Sequence, residues 1–330
     1  MKPLRIPLNR LPEQPGERHG RLRSYFCDKD AEAVRVGNAW ELRLAWPGGE
    51  ERHVDPELAQ GLSSWGNLSR REMAMAQRRS GRILRVLYDT WTLYSWSEWF
   101  AHNGIKPGEP LTILHVDDHH DLMSPRLFMR DEGLVDPMTG LCFDLFDPES
   151  VLSALNSGAV GMGSFLTPIL RCFPQADVRQ LTQPPKVTGT TDNRVVLTER
   201  VDDLLEPGAL RPAVELLASN LGDGNYRITN DLECWLEHIG PGPILLHVDM
   251  DYFNNRYDGD EDWRERKYIL DPCLDDVMAE VDRISVALRS ADLVSRIQDA
   301  VIAYSPGFFP AELWEAAERR LEEGLGELYG

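Results

Sequence analysis

The stretch Leu114–Asp121, which reads LHVDDHHD, decides the fold and the kind of site that this chain builds. It begins as an apolar run and ends in the spacing D-x-H-x-D, made by Asp117, His119 and Asp121. An apolar run of this length predicts a short buried strand. Because side chains alternate along an extended chain, the three polar groups are expected to fall on one side of it.

A second stretch, Ile244–Tyr252, repeats this arrangement far downstream with the sequence ILLHVDMDY. Its apolar run ends in Asp249 and Asp251, again two residues apart. Carboxylates gathered at two strand ends repel one another unless a cation lies between them. Oxygen ligands with one imidazole suit Mn²⁺ or a similar divalent ion better than a thiolate-seeking metal. The two stretches therefore predict a metal site, with two ions if a carboxylate bridges them, that activates water for hydrolysis.

Four polar residues beside these motifs are given other roles. Asp118 and His120 have the opposite parity to the metal-binding set: they alternate with Asp117, His119 and Asp121, so along an extended chain their side chains face the other way. We therefore expect them to support the site or to pack around it. His115 and His247 could face the site on parity. A histidine in the middle of a buried strand is more often a hydrogen-bonded packing residue, and we interpret both in that way.

Composition narrows the classes of protein and partner. The chain has 330 residues, of which 42% are hydrophobic and 27% are charged, as in ordinary globular proteins. Its 35 basic and 54 acidic residues leave a formal net charge of −19. Such a field repels nucleic acid phosphates and attracts basic ligands, so no nucleic acid partner is expected.

The location of the protein is predicted from what the sequence lacks. No apolar run is long enough to predict a membrane span, and the first residues have no apolar signal core. The five cysteines are scattered and never form a C-x-x-C pair, which indicates reduced thiols. We therefore expect a cytoplasmic protein without a membrane partner. The sequence sets no oligomeric state.

The pattern of elements divides the chain in two. Residues 1–80 are predicted to form an N-terminal extension with short strands, which is either an edge of the sheet or a cover over the site. Residues 81–330 alternate strands and helices, which predicts an α/β fold with a mostly parallel sheet and helices on both faces. The predicted strands are 83–88, 111–116, 244–248 and 299–304; the predicted helices are 91–102, 148–157, 211–221, 275–290 and 310–325; residues 175–194 are predicted as a loop.

The two acidic motifs resemble the metal motifs of the ureohydrolase superfamily, which includes arginase, agmatinase and, more distantly, the histone deacetylase fold. Two further stretches, Gly161–Pro168 and Ile302–Phe308, are similar to the arginase-like family whose characterised bacterial members are peptide arginases. Those enzymes convert arginine side chains of ribosomally made precursor peptides into ornithine and release urea. The resemblance covers residues 83–330 in order and implies a three-layer arginase-like fold.

The resemblance also implies a role for each motif residue. Asp117 and Asp249 would bridge two Mn²⁺ ions, His119 and Asp251 would complete one ion, and Asp121 would complete the other. Asp121 would in addition be the catalytic residue, since it would hydrogen-bond the nucleophile and then pass a proton to the departing amine.

In one position the chain departs from the family. Arginases take a further ligand from a histidine in a G-D-H segment after the preceding strand, whereas Leu87–Trp91 here reads LYDTW. Asp89 replaces that ligand, His102 reaches the site, or one metal binds weakly; of these, Asp89 is favoured. No residue matches the arginase glutamate that holds the guanidinium, and none matches its histidine proton shuttle.

Together these features predict a hydrolase of linear amidine C–N bonds. Its expected substrate is an arginine-containing precursor peptide of a ribosomally made, post-translationally modified product. Two alternatives stay open. One is an arginase, agmatinase or deacetylase-like enzyme of the same fold that acts on a small molecule. The other is a catalytically inactive binding protein, which the missing histidine would explain.

Overall fold

The computed structural model describes residues 4–26, 28–49, 52–259 and 262–329. Within these ranges the chain forms strands and α-helices of an α/β fold. In chain order the strands are β1 (Leu4–Pro7), β2 (Asp30–Val36), β3 (Ala39–Ala45), β4 (Gln77–Ser80), β5 (Ile83–Val86), β6 (Thr112–Val116), β7 (Phe128–Arg130), β8 (Gly133–Val135), β9 (Cys142–Phe143), β10 (Asp177–Leu181), β11 (Thr191–Val201), β12 (Leu210–Ala218), β13 (Tyr226–Thr229), β14 (Ile244–Asp249) and β15 (Ile297–Ala303).

The helices connect these strands and follow the last of them. In chain order they are α1 (Pro15–Tyr25), α2 (Leu58–Ser64), α3 (Arg70–Met73), α4 (Trp91–Asn103), α5 (Pro148–Ser157), α6 (Leu166–Cys172), α7 (Leu232–Leu236), α8 (Leu274–Ser290), α9 (Trp314–Gly324) and α10 (Gly326–Tyr329). No helix of the described chain is long and apolar enough to cross a membrane. The four cysteines that the structure describes are free thiols, and Cys27 lies outside the described residues.

A nine-stranded mixed sheet forms the centre of the molecule. Its order is β12-β11-β13-β10-β6-β14-β15-β5-β4. The six strands from β13 to β5 in this order are parallel to their neighbours. The flanking strands β11, β12 and β4 pair in antiparallel fashion. The expectation of a mostly parallel sheet in an α/β fold is therefore confirmed.

The two motif strands, β6 and β14, are neighbours at the middle of this sheet. Every residue of both strands is buried, so both faces of the sheet are covered at this point. Continuous runs such as TILHV are typical of parallel strands that are covered on both sides. Val116 pairs with Val248, so the residues that follow each strand emerge side by side at one edge of the sheet.

The N-terminal residues are packed on this centre. Strands β1, β3 and β2 form a small antiparallel sheet, and Ile6, Leu22 and Trp40 belong to the same buried cluster as the large sheet. Strand β4 pairs with β5 and is an edge strand of the large sheet. The predicted role as a sheet edge is thus confirmed for Gln77–Ser80.

Two predicted elements are wrong. Residues 211–221 were expected to be helical, but Leu210–Ala218 is strand β12, which pairs with β11 along its whole length. Residues 175–194 were expected to be a loop, but they contain β10 and the start of β11. In both places the pairing with a neighbouring strand outweighs the conformational preference of the residues themselves, because buried backbone groups need hydrogen-bond partners.

Candidate metal centre

The predicted ligands lie where parallel strands end. Asp117 directly follows β6, Asp249 is the last residue of β14, and Asp251 lies in the 3-10 turn Met250–Tyr252 that follows. His119 and Asp121 are in the irregular segment after β6. This edge, at the carboxyl ends of the strands, is where ligands bind in α/β sheets.

One group of ligand atoms is made by His115, Asp117, Asp121 and His247, all of them buried and all within 4.8 Å of one another. The Nε2 atom of His115 lies 3.0 Å from Asp117 Oδ2 and 3.2 Å from Asp121 Oδ2. The Nε2 atom of His247 lies 3.4 Å from Asp117 Oδ2 and makes no hydrogen bond among the described residues. Three to four donors this close together can hold a metal ion.

A second group shares one residue with the first. Asp117, His119 and Asp251 also offer ligand atoms within 4.8 Å of one another. The Nδ1 atom of His119 lies 2.9 Å from Asp251 Oδ2 and 3.6 Å from Asp117 Oδ1. Asp117 belongs to both groups: its Oδ2 faces His115 and His247, and its Oδ1 faces His119.

Asp249 lies beside these groups but belongs to neither. Its Oδ2 accepts a hydrogen bond of 2.6 Å from Ser305 Oγ, and its Oδ1 accepts one of 3.1 Å from the Asp251 amide. Its side chain is buried and lines the same cavity as Asp251. The structure brings four of the five predicted ligands, Asp117, His119, Asp121 and Asp251, into the two groups, and places Asp249 next to them.

The histidines that were interpreted as packing residues contribute to the centre. His115 and His247 are fully buried and hydrogen-bonded, as expected, and the Nδ1 of His247 pairs with Thr92 Oγ1 at 3.0 Å. The Nε2 atom of each ring faces Asp117, however, so both belong to the first group. Their parity with Asp117 and Asp249 was the signal that could have placed them there.

Of the two residues considered for the missing histidine position, only Asp89 lies at the site. Its Oδ2 accepts a hydrogen bond of 3.1 Å from the Gly163 amide, while its Oδ1 is buried without a hydrogen-bond partner among the described residues. It lines the cavity, and it makes no side-chain cap to α4. His102 is exposed in the last turn of α4, which starts at the site edge and runs back across the sheet.

Asp118 and His120 point to other partners, as their parity predicted. Asp118 Oδ2 lies 2.6 Å from Lys186 Nζ and accepts a hydrogen bond of 2.7 Å from Asn255. His120 Nδ1 lies 2.6 Å from Gln180 Oε1. Both residues line the cavity, outside the two groups of ligand atoms.

The electrostatics of the centre show an excess of buried negative charge. Burial, reinforced by neighbouring carboxylates, raises the pKa of Asp121 and of Asp249 well above the usual range. Burial and the charge of Asp117 raise the pKa of Asp251 to about 6 and that of Asp89 to about 7. A cation among these oxygens would relieve that repulsion and restore the ionised forms.

Asp117 is the exception, because three histidines, His115, His119 and His247, face it. Burial alone would raise its pKa, but the charge and hydrogen bond of His115 hold the pKa well below the usual range. In return, Asp117 and Asp121 raise the pKa of His115 to about 9, against the opposing effect of burial. His115 thus offsets part of the buried negative charge of Asp117.

Backbone conformation is unusual at the same place. Among the described residues, six that are not glycine have positive φ. Three of these six are Asp121 (54°), Asp258 (44°) and Ser305 (43°). Each contacts the centre: Asp121 through His115, Ser305 through Asp249, and Asp258 through His119 Nε2 at 3.3 Å. Such conformations cost on the order of 1–3 kcal/mol and concentrate at functional sites.

A cavity of about 940 Å³ opens onto the centre. Its floor is acidic and includes Asp89 and Asp251. Its walls include residues of the first 80, among them Gly20 and Arg23 of α1 and the buried His53, so the N-terminal region borders the site. The sequence held no signal for this wall, since nothing in residues 1–80 marks them as neighbours of the two motifs.

No protein-family model matches this sequence, and no curated protein is significantly similar to it. The centre is therefore described by its own geometry: a buried His/Asp cluster that could hold a metal ion, at the carboxyl edge of a mostly parallel sheet.

Proposed function

We propose that this protein is a metal-dependent hydrolase that cleaves the guanidinium group of arginine residues in a peptide, giving ornithine and urea. One observation carries the proposal: two groups of buried His and Asp ligand atoms overlap in Asp117. The order of the motifs and their similarity to the arginase-like family support it. On this proposal the chain has a three-layer arginase-like fold, works in the cytoplasm and uses Mn²⁺.

The donor set supports Mn²⁺ in both positions. It consists of carboxylate oxygens and imidazole nitrogens without a thiolate, which suits Mn²⁺ and similar divalent ions. Asp117 would help to hold both ions, His119 and Asp251 one of them, and Asp121 the other. His115 and His247 would offer the imidazole that the LYDTW segment lacks. Two bound ions would supply Lewis acidity and water activation at neutral pH.

The cavity supports a cationic group on an apolar stem. Met123, Met162 and Phe308 line its walls above the acidic floor. An arginine side chain matches this arrangement, because its three methylene groups are apolar and its end is positively charged. The overall charge of −19 favours the approach of such a group.

The size of the cavity supports a substrate larger than free arginine. At about 940 Å³ it is near the top of the range for drug-sized ligands. A second cavity of about 340 Å³ adjoins it, and Asp118 and Lys186 line both. A peptide could therefore extend from the acidic floor into the second cavity.

Proton transfer in the proposed reaction is assigned to Asp121. The net change is guanidinium plus water to an alkylammonium ion plus urea: the oxygen of the water bonds to the guanidinium carbon and the C–N bond to the side chain breaks. The departing nitrogen takes up both protons of the water, the first of them as its bond breaks. Asp121 lines the cavity, where its carboxylate would accept a proton from the attacking water and pass it to the departing nitrogen. The hydrogen bond from His115 keeps its side chain in place.

Manganese-loaded protein should release urea from an arginine-containing peptide, and the same peptide should show the mass change of arginine-to-ornithine conversion. The measurement is urea formation with mass spectrometry, on protein stripped by a chelator and then reloaded with Mn²⁺. Free arginine, agmatine and an acetyl-lysine peptide are the comparison substrates, and a lysine-for-arginine peptide is the blank. Faster turnover of a small molecule would favour the small-molecule alternative, and no turnover of any substrate by loaded protein would favour an inactive binding protein.

The gain in melting temperature on adding Mn²⁺ should increase as the pH rises from about 5.5 to about 8.5, because protons and metal compete for the same atoms. Asp251, Asp89 and His115 have pKa values raised to about 6, 7 and 9, so in metal-free protein they keep protons up to those pH values. As the pH rises, the metal has fewer protons to displace and relieves more repulsion. Thermal unfolding with and without Mn²⁺ at each pH measures this gain. Groups away from the site titrate in the same way in both samples, so their effect on the melting temperature cancels in the difference. A gain that is constant or largest at low pH would count against metal binding at this cluster.

A further inference from the structure

His53 and Tyr88 form a hydrogen-bonded pair in the wall of the cavity. His53 comes from the N-terminal region, Tyr88 follows β5, and both side chains are almost completely buried. Tyr88 Oη lies 3.0 Å from His53 Nε2, and His53 Nδ1 lies 3.3 Å from the carbonyl oxygen of Pro306. This pair has no role in the metal groups and was not predicted from the sequence.

The direction of these hydrogen bonds follows from their partners. The Pro306 carbonyl can only accept, so His53 Nδ1 carries the proton and donates. Burial lowers the pKa of His53 to about 4, which keeps the ring neutral. In a neutral ring the other nitrogen, Nε2, is an acceptor, so the Tyr88 hydroxyl must donate to it.

The hydroxyl of a tyrosine held in this way can only accept a further hydrogen bond. Its single proton is engaged by His53, while lone pairs of its oxygen stay available. A guanidinium group carries five N–H donors and no acceptor, whereas the carbonyl of an acylated lysine needs a donor. The pair therefore discriminates between the substrates considered above.

The close contact of the two segments holds the pair in place. Gly307 has φ +90, and a Cβ there would lie 2.8 Å from the Arg52 carbonyl oxygen, so the chain on either side of His53 and Pro306 is tightly apposed. Arg52 Nη2 donates to the carbonyl oxygens of Phe26 and Lys29 at 3.0 and 2.7 Å. The N-terminal region is thus fixed to the wall at this point.

We propose that Tyr88 accepts a hydrogen bond from the guanidinium group of the substrate and that His53 is the positioning residue that makes its hydroxyl an acceptor. This inference rests on the proposed function and names the chemistry that selects its substrate. It makes residues 1–80 part of the substrate site.

The test compares Tyr88→Phe with Tyr25→Phe in Mn²⁺-loaded protein. Tyr25 also has a buried hydroxyl, 2.5 Å from Asp202 Oδ2, but it does not line the cavity. Tyr88→Phe should raise KM for an arginine peptide roughly tenfold or more, the usual loss for a hydrogen bond to a charged group, with a smaller change in kcat. Tyr25→Phe should lower the melting temperature and leave KM unchanged. Unchanged KM in folded, metal-loaded Tyr88→Phe would overturn the proposal.

His53 is tested by two variants, so that a folding defect in one leaves the question answerable. His53→Ala should raise KM as Tyr88→Phe does. His53→Gln, whose amide oxygen can still accept from Tyr88, should keep KM closer to that of the native protein. Equal KM values for both folded variants would overturn the positioning role.

Equilibrium binding separates this inference from the proposed reaction. If native protein releases no urea, the proposed function has failed, but binding of the arginine peptide to Mn²⁺-loaded protein still tests Tyr88 by calorimetry. Weaker binding to Tyr88→Phe, with binding to Tyr25→Phe unchanged, would support the contact. Equal binding to both variants, or no binding to native protein, would overturn it.

Discussion

Replacing Asp117 with asparagine should abolish turnover and reduce bound Mn²⁺ at both positions. Each of its oxygens belongs to a different group of ligand atoms, so one substitution weakens both. A neutral amide bridges poorly and does not balance the metal charge. The loss of several kcal/mol of metal-supplied stabilisation corresponds to a fall in kcat on the order of a thousandfold. Metal analysis and urea release on the same sample measure both effects.

Asp118→Asn is the matched control, one residue away. Its carboxylate pairs with Lys186 and Asn255 and lies outside both groups, so metal content should stay full and turnover should change far less. Asp249→Asn separates two assignments of Asp249. The resemblance makes it a bridging ligand, so the variant should lose metal and turnover as Asp117→Asn does. In the structure Asp249 is held by Ser305 and lies outside both groups, so the loss should be smaller. Equal losses in Asp117→Asn and Asp118→Asn would show that the assignment of the ligands by parity is mistaken.

The second large effect is expected at Asp89. In Asp89→Asn the protein should bind fewer metal ions per chain and lose most of its turnover, while Asp89→His should recover part of the metal. The asparagine oxygen can still accept the Gly163 hydrogen bond, so the change removes charge more than packing. Because burial raises the pKa of Asp89 to about 7, its ionised form destabilises the metal-free protein near that pH.

Stability decides between this role and a purely structural one. If Asp89 is a ligand, metal-free Asp89→Asn should melt no lower than metal-free native protein at pH values above about 7, where the native carboxylate is ionised. If Asp89 is only structural, Asp89→Asn should keep full metal content, because its oxygen still accepts from Gly163. The loss should then appear in Asp89→Ala, as a fall in stability on the order of 1 kcal/mol with full metal content. Metal content per chain and metal-free melting temperature, measured together, separate the two outcomes.

The centre of the fold could be predicted because its sequence signals are local and agree with one another. The buried strands β6 and β14 are continuous apolar runs, and polar groups follow each of them at once. Helices α4, α5 and α8 were placed to within about one residue at each end, since helical periodicity and turn residues coincide there. Sheet geometry then brings the strand ends together.

The errors arise where distant partners decide the structure. Residues 211–221 contain several Leu and Ala residues and a Glu, which favour a helix. All nine residues of β12 nevertheless pair with β11. That pairing is a property of two segments and is invisible in either one alone.

The site was predicted incompletely for the same reason. The spacing D-x-H-x-D marks Asp117, His119 and Asp121, but it gives no distance to the histidine on the next strand. His247 joins the first group only because β14 pairs with β6 in the register that sets His247 beside His115. His53 was not found because the segment that carries it has no motif and reaches the cavity through tertiary packing alone.

The order of strands in the large sheet has a consequence for how the protein matures. Strand β5, which precedes Asp89, does not pair with β6 or β14; it pairs with β15, the last strand of the chain, which lies between β14 and β5. A growing chain thus carries Asp89 and Asp117 long before the strand that joins them has been synthesised. The cluster can consequently become complete only after residues 297–303 have been synthesised, and a chain truncated ahead of them would carry both acidic motifs without the strand that joins them to Asp89.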